Sequence, residues 1–375
     1  GNNIIHWADR TTPEKKTQDW ARILTGKAVS VAFSAEGTIF SGDKAAIITT
    51  AEDDAIETGQ LVQIGNLNSG VFKVSYVKEG ATIEADRSGW PLIARRLDSR
   101  RFIVKPYVET GGVIIGYELI PSHWTVTIKP GISIEHMIEI ANECGADPWF
   151  CVPHLADDDY VKGMAHLIYS GLSEARKVYI EYSNEIWNWA PGFPQTAYVD
   201  KMARSSDPVI SLNQLYVKRS LEIFKMFKDE FGAEADKLVN VIGSHAANSW
   251  ISEQRLLALA NPALNPYGIS VDALAIAPYF SAGKIEPSEV PTITVDEILS
   301  RCENQIKTVV PTYIKSNKAV ADKYGVRLIA FEGGQHLVAQ GDSVLTAKFI
   351  QANRDPRMYD LYKLYLDTWF ANGGK

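Results

Sequence analysis

The sequence predicts an α/β fold, a (β/α)8 TIM barrel into which an antiparallel β domain is inserted. From about residue 131 onward, helices alternate with short, almost continuously apolar strands, as in a parallel sheet that is covered on both faces. Polar side chains follow these strands, as expected where strand C-termini meet on one face of a barrel. Between about residues 20 and 130, short strands separated by turn clusters indicate the antiparallel β domain.

An open, doubly wound sheet is the other fold that alternating strands and helices allow. Such sheets commonly carry a glycine-rich phosphate loop directly after a strand. No such loop follows any of the predicted strands, which instead end near polar residues. The barrel is therefore the favoured architecture.

Helices and strands can be assigned in order along the barrel region. Ser133 precedes an apolar stripe at helical spacing and Gly145 follows it, which predicts a capped helix between them. The aspartates at 157–159 are expected to open the next helix, because acidic groups suit a helix N-terminus. The predicted strands are 149–153, 177–183, 238–244, 273–277 and 327–331, and the other predicted helices are about 210–231, 251–260, 295–324 and 355–370.

The predicted domain boundaries follow from this change of pattern. Residues 1–19 are expected to start the barrel, with a strand near residues 3–10, residues 20–130 to form the inserted β domain, and residues 131–375 to form the remainder of the barrel. The strands expected in the β domain are 29–33, 45–48, 60–64, 71–77, 102–104 and 124–128. This division supplies about six barrel strands, so either the β region contains further barrel strands or the terminal strands lie outside this chain.

Composition excludes several classes of function. Hydrophobic residues make up 46% and charged residues 22% of the 375, as in an ordinary globular protein. The net charge of -7 argues against nucleic acid as a partner, because a phosphate-binding surface needs clustered basic residues. The sequence has no run of about 18 apolar residues, so it predicts no membrane-spanning helix, and no signal peptide is visible. The cysteines, at 144, 151 and 302, lack metal-type spacing and are expected to be buried free thiols.

Two glutamates at predicted strand ends carry the strongest chemical signal. Glu185 closes the run 177–185, and Glu332 closes the run 327–332. Hydrolysis of a glycosidic bond needs two carboxyl groups on either side of the sugar, one that protonates the leaving oxygen and one that attacks or activates water. Glu181 competes with Glu185 for the acid role, but because it lies in the middle of a strand we expect it to be paired.

Asn184 and Glu185 together with Glu332 resemble the signature of a large clan of retaining glycoside hydrolases built on (β/α)8 barrels, clan GH-A. In that clan an Asn-Glu pair ends strand four and a Glu ends strand seven. The sequence around residues 145–160 and 181–188 is also similar to a little-characterised, polysaccharide-associated group in the clan. The resemblance covers about residues 131–375 and does not include the β domain.

The resemblance implies a role for each matching residue. Glu185 would be the general acid and then the general base, and Glu332 the nucleophile that forms a glycosyl-enzyme intermediate. Asn184 would hydrogen-bond the sugar 2-hydroxyl. Tyr279, after the sixth strand, would donate its hydroxyl to Glu332 and keep it ionised. The glycines that follow Glu332 are expected to let a ligand approach closely.

Histidines and tryptophans near strand ends are further candidates for binding the substrate. His154 and His245 are expected to hold the sugar or tune the acid, although each could instead be a structural histidine, as could His336. Sugars present apolar faces that stack on aromatic rings. Three tryptophans lie in loops after strand ends, where such stacking surfaces belong: Trp187, Trp189 and Trp250.

The sequence therefore predicts a glycosidase that acts on a β-linked polysaccharide or oligosaccharide and uses no cofactor and no metal. His154 with the aspartates at 157–159 could suggest a metal site, but helix capping explains the aspartates better. An extracellular, cell-surface or virion location is expected, with an oligomer or larger assembly formed through the β domain. The alternative is a carbohydrate-binding or receptor-recognition barrel without turnover. A lyase or isomerase on the same barrel is a further alternative, but the sequence lacks the lysine or metal ligands that such chemistry tends to use.

Overall fold

The structure is a computed structural model of the chain, and its residues fall into two compact units. The described residues are 22–24, 28–33, 46–50, 61–64, 72–87, 92–93, 95–104, 113–119, 126–129, 132–173, 176–190, 193–339 and 341–375. The first unit lies within Gly1–Ala146, Leu155–Glu174 and Ala190–Gly192, and the second within Asp147–His154, Ala175–Trp189 and Phe193–Lys375. The strand predicted near residues 3–10 lies outside the described residues.

The strands of the first unit pair in antiparallel fashion. They are β1 (Arg22–Leu24), β2 (Ala28–Phe33), β3 (Ala46–Thr50), β4 (Leu61–Ile64), β5 (Phe72–Lys78), β6 (Ala81–Asp86), β7 (Leu92–Ile93), β8 (Arg95–Arg96), β9 (Arg101–Val104), β10 (Val113–Leu119) and β11 (Val126–Lys129). Their described sheets have the orders β1-β11-β4-β7, β10-β5-β6 and β2-β3-β9-β8. Antiparallel strands in this stretch are as predicted, whereas the boundaries of an inserted domain remain a prediction.

The hairpin β5–β6 shows how the sequence specifies these sheets. Phe72, Val74 and Tyr76 are buried at alternate positions of β5, as expected for a strand with one covered face. Glu79 and Gly80 form the two-residue turn, and both have positive φ, at 52° and 80°. This conformation matches the twist of the flanking strands. The sequence pattern did not reveal β6, because its residues are exposed or only partly buried.

Helices α1 (Ile134–Cys144) and α2 (Asp158–Gly171) also belong to the first unit and begin and end near the predicted caps, although the side chain of Ser133 makes no capping hydrogen bond to α1. Gly145 ends α1 in the left-handed conformation, with φ of 64°. Asp157 caps α2 through Oδ1, which accepts the backbone N–H of Tyr160 at 2.8 Å. This carboxylate therefore has the helix-capping role that the sequence favoured over a metal ligand.

The second unit is built on a five-stranded parallel sheet. Its strands are β12 (Trp149–Val152), β13 (Val178–Tyr182), β14 (Leu238–Gly243), β15 (Ala273–Ile276) and β16 (Arg327–Ala330), and they are neighbours in chain order. Its helices are α3 (Pro194–Arg204), α4 (Leu212–Phe231), α5 (Ser249–Ala258), α6 (Val295–Thr308), α7 (Val310–Lys323), α8 (Ser343–Arg354) and α9 (Arg357–Ala371), with a 3-10 helix at Gly232–Lys237. The α/β class is thus confirmed.

The sheet is covered by apolar side chains on both faces. One face carries a buried cluster formed by Val239, Val241, Ala273, Ala275 and Ile329. The alternate residues, Ile180, Ile242, Leu274 and Leu328 among them, are fully buried, and α4 contacts β13 and β14 while α7 contacts β16. Because the strands are parallel, their C-terminal ends lie along one edge of the sheet.

Several local predictions need correction. The predicted helix at 295–324 is two helices, because Pro311, in the first turn of α7, cannot donate the backbone hydrogen bond that would continue α6. Helices α3 and α8 were not predicted. The thiols are free, but Cys144 and Cys151 are exposed and Cys302 is buried, so burial was wrongly predicted for two of the three. No described helix is long and apolar enough to cross a membrane.

Candidate active site

Glu185 lies in a tight turn directly after β13. Ser183 and Glu185 both adopt left-handed backbone conformations, with φ of 60° and 49°. Such conformations are uncommon for residues other than glycine, and they persist only where the surroundings fix them. The carbonyl of Glu185 accepts the N–H groups of Trp187 at 2.6 Å and Asn188 at 2.9 Å. The turn is therefore held by its own backbone as well as by the side chains described below.

The Glu185 carboxyl is buried, with 8% of the residue exposed. Asn188 donates its side-chain N–H to Oε2 of Glu185 at 2.8 Å. Burial raises the pKa of Glu185; the Asn188 bond opposes this rise, the nearby charge of Glu332 adds to it, and His336 opposes it. A carboxyl in this environment keeps its proton to higher pH than an ordinary glutamate, as a general acid must.

Glu332 follows β16 and is exposed, in contrast to Glu185. Its carboxylate accepts a hydrogen bond from the hydroxyl of Tyr279, and burial together with this bond raises the pKa of Tyr279. The loop after β15 is fixed against the loop after β16, since the N–H of Phe280 bonds the carbonyl of Gly334 at 2.9 Å and the N–H of His336 bonds the carbonyl of Phe280 at 2.7 Å. These bonds hold Tyr279 and Glu332 side by side.

The two glycines after Glu332 lie against tyrosine side chains. A Cβ at Gly333 would overlap the hydroxyl of Tyr365, and a Cβ at Gly334, where φ is 111°, would lie 2.8 Å from the hydroxyl of Tyr362. Both tyrosines come from α9. Glycines are thus favoured at both positions because tyrosine side chains pack against the turn, while the approach of a ligand at this turn stays a prediction.

His154 lies at the end of β12 in a half-buried environment. Its ring packs edge-on against Tyr198, with ring centroids 5.5 Å apart, and its carbonyl accepts the hydroxyl of Tyr182 at 3.0 Å. Burial lowers the pKa of His154 to about 4. The imidazole is therefore neutral near pH 7 and could bind a hydroxyl but not act as a cation.

Trp187 and His245 form a pair after β13 and β14. Their ring centroids are 4.2 Å apart in an edge-on arrangement. Nε1 of Trp187 and Nδ1 of His245 are both buried without a hydrogen-bond partner, and burial lowers the pKa of His245. Trp189 and Trp250 instead present open rings, with 63% and 61% exposed. Of the three predicted stacking surfaces, these two are accessible, whereas Trp187 is packed against a histidine.

Glu181 is almost fully buried, with 1% exposed. Its Oε2 accepts Nε1 of Trp149 at 3.1 Å and lies 3.8 Å from the donor Sγ of Cys151. Burial raises the pKa of Glu181 to about 8. The expectation that this mid-strand carboxyl is paired is confirmed through its Oε2 atom.

Two residues that influence the pKa of Glu185 were not predicted as site residues from the sequence or were left undecided. Asn188 was missed, although its place three residues after Glu185 in the turn was a usable signal. His336 packs on Tyr279 with ring centroids 5.3 Å apart and acts on the charge of Glu185. In the described part of the chain, no three His, Cys, Asp or Glu side chains are grouped so that they could hold a metal ion.

Two of three comparisons with known proteins found no match. The chain matches no protein-family model and no curated protein. Among solved structures it is similar to native xylanase 10C from Cellvibrio japonicus, at 12% identity, with 95% of this chain and 88% of that chain covered and a TM-score of 0.22. It is also similar to a mutant of that xylanase in complex with xylopentaose, at 11% identity over the same shares and a TM-score of 0.19.

A third similar structure is the endo-1,4-beta-D-xylanase 10B of Clostridium thermocellum complexed with xylohexaose. Its identity is 12%, its coverage is 95% of this chain and 88% of that chain, and its TM-score is 0.20. Likenesses with TM-scores this low carry no argument about the fold or the activity of this chain. The candidate site therefore has to be judged on its own geometry.

Proposed function

We propose that this protein is a retaining glycoside hydrolase that cleaves a β-linked polysaccharide or oligosaccharide. The observation that carries the proposal is the pair of unlike carboxyl groups at two strand ends. Glu185 is buried with a raised pKa, while Glu332 is exposed, close enough to influence Glu185, and hydrogen-bonded by Tyr279. Two carboxyl groups in contrasting environments suit the separate roles of acid and nucleophile.

The reaction would proceed by two displacements. Glu332 attacks the anomeric carbon while Glu185 gives its proton to the leaving oxygen, and a covalent glycosyl-enzyme ester forms. Glu185, now ionised, then takes a proton from water, and the resulting attack on the anomeric carbon releases Glu332. Asn184 would bond the sugar 2-hydroxyl, and the hydroxyl of Tyr279 would orient Glu332 for attack.

We also propose the (β/α)8 barrel as the architecture, with residues 20–130 inserted and residues 131–375 as its remainder. The order of the parallel sheet supports this proposal, since β12 to β16 are neighbours in chain order. A doubly wound sheet would reverse its strand order at a switch point, and no reversal occurs among these five strands.

Substrate binding is assigned to residues near the same strand ends. The exposed rings of Trp189 and Trp250 are suited to stack on sugar faces. His154, His245 and Trp187 would contribute polar contacts and shape. A polymeric glycan substrate fits an extracellular, cell-surface or virion location, and the strands of the first unit would provide contacts in an oligomer or larger assembly.

The decisive experiment uses a panel of β-linked polysaccharides and measures the release of reducing ends. Glu332→Gln is expected to abolish release, and Glu185→Gln to lower it by roughly 10²- to 10⁴-fold, the usual contribution of a general acid. Glu303→Gln, a change on α6 at a partly exposed carboxyl that pairs with Lys307, is the matched control and should retain activity. Product anomers followed by NMR should show retention. Full activity in both site variants would disprove the proposal.

The pH dependence gives a second test of the assigned roles. Because burial and the charge of Glu332 raise the pKa of Glu185, kcat/KM should fall as pH rises through that raised value. Titration of Glu185 followed by carbon NMR should show a lower pKa in Glu332→Gln, where the repelling charge is gone. Asn188→Ala should shift the pKa upward, because its hydrogen bond favours the ionised form. Shifts in the reverse directions would contradict the assignment.

The alternative function is a barrel that binds carbohydrate or a receptor without turnover. The exposed Trp189 and Trp250 are the observation that favours it, since open aromatic rings serve binding as well as catalysis. Calorimetric binding of a polysaccharide with no release of reducing ends over long incubation would support this alternative. Binding that survives Glu332→Gln but is lost in the Trp250→Ala variant would place the carbohydrate-binding site at Trp250.

A further inference from the structure

Three consecutive backbone carbonyls around Glu185 each accept a hydrogen bond from a side chain. Gln195 donates Nε2 to the carbonyl of Asn184 at 2.7 Å. Thr196 donates Oγ1 to the carbonyl of Glu185 at 3.2 Å. Arg255 donates Nη2 to the carbonyl of Ile186 at 2.7 Å. The donors come from α3 and α5, which follow β13 and β14 respectively.

Arg255 is the most unusual of these donors, because its side chain is completely buried, with 0% exposed. Its Nε bonds Oδ1 of Asn213 at 3.0 Å, and its Nη1 bonds the carbonyl of Gly243. The guanidinium also lies over the ring of Tyr216, 4.0 Å from the centroid. The arginine is thus fixed on several sides by groups from α4, β14 and the Glu185 turn.

The acceptors of these bonds are neutral oxygens rather than carboxylates. Since burial raises the pKa of Glu181 on β13 to about 8, that carboxyl is mostly protonated near pH 7. The buried positive charge is stabilised there by the accepting oxygens and by the π face of Tyr216. Removing a guanidinium from water is costly, and a packing role alone would be met by an apolar side chain. What an apolar side chain cannot do is bond two carbonyls at the ends of neighbouring strands at once.

The two carbonyls that Arg255 bonds lie at or just after the ends of two neighbouring strands. Gly243 is the last residue of β14, and Ile186 follows Glu185 in the turn after β13. Glu185 itself has a left-handed backbone, with φ of 49°, which persists only if its surroundings over-determine it. Arg255, Gln195 and Thr196 supply bonds to the three peptide units at this point.

We propose that Arg255, together with Thr196 and Gln195, is a positioning device for Glu185. These residues touch no reacting atom. They fix the backbone of residues 184–186 and thereby set the direction in which the Glu185 carboxyl points. The catalytic consequence rests on the proposed glycosidase function, whereas the effect on the backbone does not.

The test compares two variants that remove a donor with two controls. Thr196→Val removes only the hydroxyl that bonds the Glu185 carbonyl and keeps the branched shape. Arg255→Met removes the guanidinium, and Arg255→Lys keeps a charge without the fork that reaches two carbonyls. Arg357→Met removes an exposed arginine that bonds Asp355. Because Arg255→Met could fail to fold, Thr196→Val carries the test independently.

Two readouts separate this inference from the proposed function. With an active polysaccharide, Thr196→Val and Arg255→Met should lower kcat tenfold or more while KM changes less than threefold, and should shift the limb of the pH profile that belongs to Glu185. Arg255→Lys should recover part of kcat. Hydrogen exchange at the amides of Trp187 and Asn188 should accelerate tenfold or more in the same variants, whether or not any substrate is cleaved.

The outcomes are distinguishable. If the unaltered protein releases no sugar from any substrate, the glycosidase proposal fails, and the exchange measurement still decides the positioning role. If Thr196→Val and a folded Arg255→Met leave both kcat and amide exchange as in Arg357→Met, the positioning role is overturned. Faster exchange with unchanged kcat and pH profile would overturn its catalytic consequence.

Discussion

Gly243 at the end of β14 gives the sharpest test of how the buried polar groups below the site are packed. A Cβ added at this position would overlap Oε1 of Glu181 and lie 3.3 Å from its Cδ, while the hydroxyl of Tyr216 would be 3.6 Å away. Glu181 has 1% of its surface exposed, so its carboxyl has no solvent-filled space into which it can move. Gly243→Ala must therefore displace a hydrogen-bonded carboxyl.

The size of the effect follows from what Glu181 would lose. Displacement breaks its bond from Trp149 and leaves the partly buried donor Nε1 unpaired, which costs about 1–3 kcal/mol. Overpacking by one methyl group in a close-packed interior costs about 1–3 kcal/mol more. Alanine restricts the unfolded chain and returns about 0.4–1 kcal/mol. The free energy of unfolding should fall by about 1–6 kcal/mol.

Urea unfolding followed by circular dichroism would measure this loss, and a double-mutant cycle supplies the control. In a Glu181→Ala background the obstructing carboxyl is absent, so Gly243→Ala should cost less than about 1 kcal/mol. An equal cost of Gly243→Ala in both backgrounds, to within the limit of about 0.5 kcal/mol for independent sites, would contradict the predicted clash with Glu181.

Three further predictions follow from individual groups. Burial raises the pKa of Glu181 from 4.5 to about 8, so between these pH values the folded state retains a proton that the unfolded chain releases. The free energy of unfolding should therefore fall as pH rises through this range, by up to about 1.4 kcal/mol per pH unit. Glu181→Gln should remove this slope, and an unchanged slope in urea titrations would contradict the prediction. A thiol reagent applied to the native protein should modify exposed Cys144 and spare Cys302, whose pKa burial raises to about 11, whereas equal labelling rates by mass spectrometry would oppose this. Thr294→Ala removes one half of the capping box with Glu297 at the start of α6 and should lower the free energy of unfolding by about 1 kcal/mol; no change in the urea midpoint would count against it.

Much of the second unit was predictable because its signals are local. A short apolar run bounded by turn or helix signals predicts a buried strand, and β12 to β16 were found where expected to within a few residues. The candidate residues Glu185 and Glu332 were identifiable because each lies in the short loop after such a run. Helix α1 was equally clear, since an apolar stripe lies between a cap residue and Gly145.

The errors arose where partners distant in sequence decide the outcome. The one local error was the single helix expected at 295–324, which is divided at Pro311. The burial of Cys144 and Cys151 was wrongly predicted because burial depends on what covers a helix end or a strand face. The carbonyl of Ile186 is bonded by a side chain 69 residues away, from Arg255. No pattern around either residue indicates the other.

The sequence by itself determined the α/β class, the strand-end positions of Glu185 and Glu332, and the helix caps, because strand period, apolar runs and capping chemistry act over a few neighbouring residues. Only the tertiary structure decided that Glu185 is buried while Glu332 is exposed, that Tyr279 bonds Glu332, and that Arg255 holds the turn. Burial, through-space charge and hydrogen bonds between separate elements depend on distances in three dimensions. The same physics raises the pKa of one of two similar glutamates and leaves the other free to accept a hydrogen bond.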